Sequence, residues 1–267
     1  MQSLFSCPVC REPLFMEGRT YRCANNHCFD MAKEGYVNLL VGNKSTEFSG
    51  DDKNMVASRT RFLDGGHYSP LRDKMCSLLE KYINERNSLL DAGCGEGYYT
   101  DAYSGLFKNT VGVDISKCAV RHASKRCKNA RFAVASVYHL PVADSSCDTV
   151  VNCFSPNVPT EFQRVLKCGG YLFYVVPAPR HLWDLKCILY DNPYENEEKT
   201  EEYDGFEYVG AEAVTSSFTL GTREDIEALF HMTPYSWNTP KECAERLASK
   251  ECLDVTARFV IHIYKKK

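Results

Sequence analysis

After about residue 86, short apolar runs alternate with segments in which apolar residues recur every three or four positions. The apolar runs predict buried strands and read SLLDAG, TVGVDIS, ARFAVAS, CDTVVNCFS and YLFYVVPA. The intervening segments predict helices near residues 98–107, 117–127 and 160–166. Strands that alternate with helices in this way indicate βαβ units, and therefore an α/β fold with a parallel sheet covered on both faces.

The regions on either side of this alternation are also patterned. Two helices are predicted before it, at about residues 54–64 and 69–85, and in the second the apolar residues fall at helical spacing. In the C-terminal part, the run SSFTLG predicts a strand, and the pattern Thr222-x-x-Asp225 predicts the start of a helix. The alternating run VTARFVIHIY then predicts a long final strand.

The N-terminal segment has a different character from the rest of the chain. Residues 1–40 show short strand-like pieces at 20–22 and 36–40, with too little apolar material for an independent core. The polar stretch GNKSTEFSGDDKN, residues 42–54, reads as a linker. We therefore expect a zinc-binding domain at 1–40, a linker and helix at 41–68, and the main domain at 69–267.

The small domain has five residues of the types that bind zinc. Cys7 and Cys10 form one Cys-x2-Cys knuckle, which suits half of a tetrahedral zinc site. The second half pairs Cys23 with either His27 or Cys28, and spacing alone leaves both choices open because zinc modules use both.

Composition places the chain among ordinary globular proteins. It has 267 residues, of which 44% are hydrophobic and 25% charged, and contains no apolar run of about 18 residues. We expect neither a membrane span nor a signal peptide, and hence a cytoplasmic protein whose 14 cysteines are reduced apart from the metal cluster. The net charge of −3 excludes a broadly basic nucleic-acid binder, so any RNA contact has to be local.

The strongest chemical signal of the main domain is LLDAGCGEGYYT, residues 89–100. A buried strand runs into Gly93, Gly95 and Gly97, which permit a tight turn and a close approach of a ligand to the backbone. Asp114 stands 21 residues after Gly93, at the end of the next predicted strand. A carboxylate at that place accepts hydrogen bonds from ribose hydroxyls in nucleotide-binding doubly wound folds.

The same loop discriminates between two classes of ligand. Dinucleotides need G-x-G-x-x-G, whereas the third glycine here comes one residue early and Glu96 would repel a phosphate. S-adenosylmethionine, which carries a sulfonium and an ammonium group, fits better. We predict Asp91 and Glu96 near its amino-acid part, Asp114 on the ribose, and Ser136 and Val137 near the adenine edge.

Several stretches together resemble one family, the RlmA 23S rRNA (guanine-N1)-methyltransferases. Beyond the metal cluster and the glycine loop, the resemblance rests on sequences that are not generic to methyltransferases. These are FDMAKEGYVNLL at 29–40, FLDGGHYSPLRD at 62–73, PRHLWDLK at 179–186 and MTPYSW at 232–237. The helix and turn RVLKCGG also resembles the RVLKPGG of class I methyltransferases, with Cys168 in place of proline.

The resemblance implies a class I S-adenosylmethionine-dependent methyltransferase, Rossmann-like with a mostly parallel seven-stranded sheet, behind a zinc-ribbon-like domain. It implies methyl transfer to guanine N1 in a hairpin loop of 23S rRNA, and a homodimer. It also implies that Tyr68, Gly95, Glu96 and His181 contact the cofactor. Finally, it favours zinc ligation by Cys7, Cys10, Cys23 and His27, with Cys28 as a spare thiol.

The chemistry of this reaction raises the question of a base. Guanine N1 normally carries a proton, so a group that removes it would help. His181 and Asp184 are weak candidates, Phe154 or Trp183 is a candidate for stacking on the base, and Lys53, Arg59 and Arg61 are candidates for RNA phosphate. Two rival functions stay open at this point: a small-molecule methyltransferase and a non-catalytic RNA- or ribosome-binding adapter.

Overall fold

A computed structural model describes residues 2–40, 50–197 and 202–267. Most of the predicted linker, residues 42–49, therefore lies outside the described residues. The chain is described again from Gly50, directly before the first helix.

The N-terminal part forms a small antiparallel sheet. Its strands, in the order in which they pair, are β1 (Gln2–Ser6), β2 (Pro13–Glu17), β3 (Thr20–Arg22) and β4 (Cys28–Asp30). Two connections, β1 to β2 and β3 to β4, hold the four predicted zinc ligands. Of these strands, the sequence pattern predicted only β3.

The main sheet has eight strands within the described residues. They are β5 (Tyr36–Asn38), β6 (Ser88–Ala92), β7 (Asn109–Asp114), β8 (Ala130–Val134), β9 (Cys147–Cys153), β10 (Leu166–Pro177), β11 (Phe206–Leu220) and β12 (Leu253–Lys266). Their order is β11-β12-β10-β9-β6-β7-β8-β5. Strand β12 is antiparallel to both of its neighbours, β11 and β10, and all other neighbouring pairs are parallel. Strands β6 to β12 are the expected seven strands of a mostly parallel sheet, so the predicted fold class is confirmed.

The eighth strand comes from a segment that we assigned to the N-terminal domain. Strand β5 pairs in parallel with β8, with Val37 opposite Ala133. Val37 is 1% exposed and belongs to the core of the main sheet. Strand β5 lies before the predicted boundary at residue 40, but it belongs to the main sheet.

Helices cover both faces of the main sheet. Their bounds are α1 (Lys53–Asp64), α2 (Ser69–Tyr82), α3 (Tyr98–Ser104), α4 (Lys117–Arg126), α5 (Pro159–Val165), α6 (Trp183–Leu189), α7 (Arg223–Met232), α8 (Tyr235–Asn238) and α9 (Lys241–Ala248). The predicted cap is present, since Thr222 Oγ1 accepts a hydrogen bond from the backbone N–H of Asp225 at 3.2 Å. Helix α2 ends three residues before the predicted Glu85 because Ile83 has an extended backbone.

The small sheet shares its core with the main domain. Phe5, Leu14 and Tyr21 are buried in the same hydrophobic cluster as Leu140 and Phe162. A main-chain hydrogen bond of 2.9 Å from Ser6 to Pro141 adds to this contact. Among the described residues no helix is long and apolar enough to cross a membrane.

Candidate active site and metal centre

The four predicted zinc ligands converge in the small sheet. The potential ligand atoms of Cys7, Cys10, Cys23 and His27 all lie within 4.8 Å of one another. The Cys10 and Cys23 sulfurs are 3.7 Å apart, and His27 Nδ1 is 3.5 Å from the Cys7 sulfur and 3.4 Å from that of Cys23. Zn–S bonds of about 2.3 Å and Zn–N bonds of about 2.0 Å give tetrahedral edges of roughly 3.5–3.8 Å.

This geometry fits a zinc ion, and it includes His27 but not Cys28 among the ligands. Cys28 begins strand β4 with an exposed side chain, and its thiol donates to the carbonyl of Asn26 at 3.3 Å. Asn26 has a positive φ of 62°, which turns the chain so that His27 faces the three sulfurs and Cys28 does not. The turn at Asn26 therefore decides between His27 and Cys28, which the spacing of the residues leaves open.

A large cavity lies at the carboxyl ends of β6, β7, β9 and β10. Its volume is about 800 Å³, and its wall includes the glycine loop together with residues of α1, α7 and α8. The strand order reverses between β6 and β9, which is the topological switch point where doubly wound sheets bind ligands. Six predicted cofactor residues line this cavity: Tyr68, Gly93, Gly95, Glu96, Asp114 and His181.

Two glycines of the loop are required by their surroundings. Gly93 has a φ of 83°, and a side chain there would overlap Ser155, whose Oγ donates to the carbonyl of Ala92 at 3.0 Å. Gly97 has a φ of 88° and would place a Cβ 2.9 Å from Ala123 of α4. The first glycine thus allows the segment after β9 to approach the loop, and the last allows α4 to pack against it.

Asp114 ties the loop to the end of β7. Its Oδ2 accepts from the N–H of Gly95 at 2.9 Å, and its Oδ1 accepts from that of Ser116 at 2.8 Å. Burial raises the pKa of this carboxyl, although the two N–H groups oppose that effect. Ionised Asp114 has oxygen lone pairs left for ribose hydroxyls, as the prediction requires.

The two other predicted acids lie in different environments. Glu96 is buried, its Oε2 lies 3.0 Å from Arg126 Nε, and burial raises its pKa to about 7. Asp91 lies below the loop, accepts from Thr100 Oγ1 at 2.6 Å and does not line the cavity. Its pKa is also raised to about 7 by burial.

Tyr68 and His181 share one aromatic cluster. Their rings lie 4.8 and 4.9 Å from that of Phe259, and both side chains are buried. His181 Nδ1 is 2.8 Å from the carbonyl oxygen of Arg258 and 3.2 Å from the backbone nitrogen of the same residue. The shorter contact favours a proton on Nδ1, which leaves Nε2 as an acceptor. Burial lowers the pKa of His181 to about 4, so the imidazole is neutral at pH 7.

Other predicted residues are not brought to the cavity wall. Ser136 Oγ accepts from the N–H of Tyr138 at 3.2 Å, at the start of a 3₁₀ helix (Val137–His139), and neither Ser136 nor Val137 lines the cavity. Asp184 accepts from the N–H of Thr256 at 2.9 Å and lines a separate, smaller cavity. Its role as a base is therefore not supported, because the groove that it faces is not the cofactor cavity.

Exposed aromatic side chains surround the cavity. Phe154, Tyr194 and Trp237 line it and are nevertheless 45%, 59% and 67% exposed. Phe154 has a φ of 58°, an uncommon conformation for a large side chain. Asn152 holds that turn, since its Nδ2 donates to the carbonyl of Pro156 at 3.0 Å. Trp183, the other predicted stacking residue, does not line the cavity.

One buried lysine supports the aromatic rim. Lys186 is fully buried, and its ammonium donates to the carbonyl of Tyr194 and to Asn196 Oδ1, both at 2.9 Å. It also lies 4.5 Å from the centre of the Tyr194 ring. Desolvation lowers its pKa. Lys186, Tyr194 and Trp237 are not predicted from the sequence, although Lys186 and Trp237 fall within the stretches PRHLWDLK and MTPYSW.

Fold and site together define a class I S-adenosylmethionine-dependent methyltransferase with an N-terminal zinc ribbon. The family model described as "RlmA, N-terminal" matches residues 5–46, and one described as "Methyltransferase domain" matches residues 90–174. The solved structure of YcgJ from Bacillus subtilis has a TM-score of 0.50 and 19% identity over 73% of this chain and 97% of its own, which supports the fold alone.

Curated relatives extend over nearly the whole chain. The 23S rRNA (guanine(748)-N(1))-methyltransferase of Streptomyces fradiae is 34% identical over 91% of this chain and 89% of its own length. YxjB of Bacillus subtilis, provisionally named a 23S rRNA (guanine-N(1)-)-methyltransferase, is 32% identical over 95% of this chain and 94% of its own. The chain belongs to the RlmA family, and it is a methyltransferase that uses S-adenosylmethionine and binds zinc.

Proposed function

We propose that the protein transfers the methyl group of S-adenosylmethionine to N1 of a guanine in a hairpin loop of 23S rRNA. The observation that carries this proposal is the continuity of one cavity from the glycine loop to the aromatic rim. Gly95 and Asp114 would hold the cofactor in this cavity, and the exposed rings of Phe154 and Trp237 line the same cavity. Aromatic rings at that place suit a planar base, since base–aromatic stacking stabilises an extruded nucleotide.

The names of the relatives support the substrate class. A hairpin loop suits this cavity because its bases are unpaired and expose their Watson–Crick edges, whereas an A-form helix hides them. Bound S-adenosylmethionine supplies an electrophilic methyl group. The protein then has to hold guanine N1 in line with that group and to favour loss of the N1 proton.

Among the described residues of the cavity wall, His181 is a candidate to accept that proton. It is neutral at pH 7, and Nε2 is left as an acceptor when Nδ1–H donates to Arg258. A pKa of about 4 makes His181 a weak base. Hydrogen-bond donors around the guanine are therefore also needed to stabilise the guanine once N1 has lost its proton. We assign His181 this role as part of the proposal.

The zinc ribbon is proposed to be an RNA-binding element. Residues 2–30 form a sheet that packs on the main domain through Phe5 and Leu14, so its position relative to the cavity is fixed by a shared core. The separate four-stranded sheet of residues 2–30 supports a domain division near residue 40, with a second division at about residue 68, although β5 (Tyr36–Asn38) joins the main sheet. A cytoplasmic location and a homodimer that forms an RNA cleft complete the proposal, and light scattering of the purified protein tests the dimer.

The substrate is tested with 23S rRNA from a strain that lacks the gene. Purified protein and labelled S-adenosylmethionine should produce N1-methylguanosine in the digested RNA, and primer extension should stop at one guanine of a loop, because the methyl group blocks Watson–Crick pairing. Ribosomal RNA from the parent strain, which is already methylated, is the matched control. Label in a small metabolite, or in RNA at a position other than guanine N1, would refute the proposal.

A further inference from the structure

Arg59 is a cation inside an otherwise acidic cofactor site. Among the described residues that line the cavity, it is the one lysine or arginine. The titratable acids of the same wall are Asp51, Glu96 and Asp114, and the histidine of the wall, His181, is neutral because burial lowers its pKa. The site therefore presents a single permanent positive charge.

This distribution of charge leaves one part of the cofactor without a partner among the predicted residues. S-adenosylmethionine has a carboxylate next to its ammonium group, and the acidic wall suits the ammonium, the sulfonium and the ribose hydroxyls. The same acids repel a carboxylate. Binding the carboxylate requires N–H donors, and a guanidinium is the side chain whose fork matches a carboxylate in two parallel hydrogen bonds.

The glycine loop has few backbone donors left for that purpose. The N–H groups of Gly93 and Cys94 both donate to the carbonyl of Val113, at 2.8 and 3.0 Å. The N–H of Gly95 donates to Asp114 at 2.9 Å. The N–H of Gly97 donates to the carbonyl of Cys94 at 3.1 Å. Four of the five amides of residues 93–97 are thus used within the protein, which leaves few backbone donors for a carboxylate above the loop and favours a side-chain donor.

Arg59 is held directly above this loop. Apart from the adjoining residues of the loop, its Nη1 is the atom nearest to a Cβ placed on Gly95, at 3.7 Å. Nη1 forms an ion pair with Asp51 Oδ2 at 2.8 Å, and Nη2 donates to the carbonyl of Met232 at 3.3 Å. These contacts use two of the five N–H bonds and fix the plane of the guanidinium, which leaves donors for a ligand.

We propose that Arg59 binds the carboxylate of the methionine moiety of S-adenosylmethionine, with Asp51 as the residue that positions it. This assignment replaces the predicted contact of Arg59 with RNA phosphate. It rests on the cofactor and is independent of the RNA substrate. Because the assay below contains no RNA, a wrong substrate in the proposed function does not affect its result.

The test compares two ligands that differ by the amino-acid group. S-adenosylhomocysteine carries the carboxylate, whereas 5′-methylthioadenosine has the same nucleoside and thioether without it. By calorimetry, Arg59→Gln should weaken S-adenosylhomocysteine binding about 30-fold, the loss expected for a hydrogen bond to a charged group. The affinity for 5′-methylthioadenosine should stay unchanged. Arg59→Lys keeps the charge but not the fork, so its loss should be smaller.

Arg61 provides a matched control on the same helix. Its Nε pairs with Asp225 Oδ1 at 2.8 Å, and it does not line the cavity, so Arg61→Gln should leave both affinities unchanged. Thermal unfolding without ligand shows whether each variant folds. If Arg59→Gln does not fold, the affinities of Arg59→Lys for the two ligands are compared instead. Equal weakening of both ligands, or no weakening of S-adenosylhomocysteine, would overturn the proposal.

Discussion

Oδ2 of Asp114 accepts a hydrogen bond from the backbone N–H of Gly95 at 2.9 Å, so the acid predicted for the ribose also closes the glycine loop. Asp114→Ala removes both the hydrogen bond from Gly95 and the predicted contact with the ribose. We expect S-adenosylhomocysteine affinity to fall roughly 10- to 100-fold, as for loss of a charged hydrogen-bond acceptor. Calorimetry measures this change. Asp101→Ala, an exposed acid on α3 that does not line the cavity, serves as the control; unchanged affinity in Asp114→Ala would refute the ribose assignment.

Gly93 is required by its neighbour as well as by its own conformation. Gly93→Ala combines a φ of 83° with an overlap on Ser155. We expect a loss of at least about 2 kcal/mol in the free energy of unfolding. Urea denaturation measures it. Gly105→Ala is the matched control, because Gly105 has a φ of −74° and the nearest atom to an added Cβ is 3.9 Å away. Equal stability of the two variants would contradict this view of the turn.

The zinc site predicts opposite outcomes at adjacent residues. His27→Ala removes a ligand and should abolish stoichiometric zinc, whereas Cys28→Ser should retain about one ion per chain. Metal content after dialysis, measured by mass spectrometry, distinguishes them. Because Phe5 and Tyr21 share a core with the main domain, zinc removal should also lower the unfolding temperature. Zinc loss in Cys28→Ser alone would reverse the ligand assignment.

His181 gives a stability effect at acid pH. Its pKa is lowered in the folded state to about 4, from 6.5 in the unfolded chain, so the unfolded state binds the proton first. Stability contributed by the neutral ring is present above pH 6.5 and is lost as the pH falls towards 4, by up to about 3 kcal/mol.

The measurement compares unfolding free energies of wild type and His181→Gln between pH 7.5 and 4. The difference between the two proteins should shrink as the pH falls, since the variant lacks this titration. Comparison with the variant is needed because Asp91 and Glu96, whose pKa values are raised by burial, act in the opposite direction. A difference that does not change with pH would exclude a buried neutral His181.

Phe154 tests the aromatic rim. Phe154→Leu should reduce kcat/KM for RNA about 10- to 100-fold, the range for loss of one stacked base. It should leave S-adenosylhomocysteine affinity unchanged. Tyr208→Leu, a comparably exposed ring on β11 outside the cavity, is the control. Equal loss of cofactor affinity in Phe154→Leu would show that the ring supports the cofactor site and not the base.

Much of this protein is predictable because its signals are local. The turn of Gly93, Gly95 and Gly97 follows from backbone sterics, and the strands on either side follow from continuous apolar runs. The pairing of Cys7 with Cys10 follows from their spacing in one knuckle. These features need no knowledge of distant parts of the chain.

Other features depend on contacts between distant segments. The sequence offers Asp184 as a candidate base, yet Asp184, in the first turn of α6, accepts a hydrogen bond from the N–H of Thr256 and lines a separate cavity. Lys186 reads as an ordinary surface lysine until the chain around residues 194–196 folds over it. Neither outcome has a signal within a few residues.

By itself the sequence determined the class of fold, the glycine loop with its ribose acid, and three of the four zinc ligands, since each depends on residues near one another in the chain. The structure confirmed the fourth ligand, His27, which the resemblance favours and spacing alone leaves open. Only the tertiary structure decided the joining of β5 to the main sheet and the position of Arg59 above Gly95. The physical reason is that β5 and helix α1 contact their partners, β8 and the glycine loop, across sequence separations that no local pattern records.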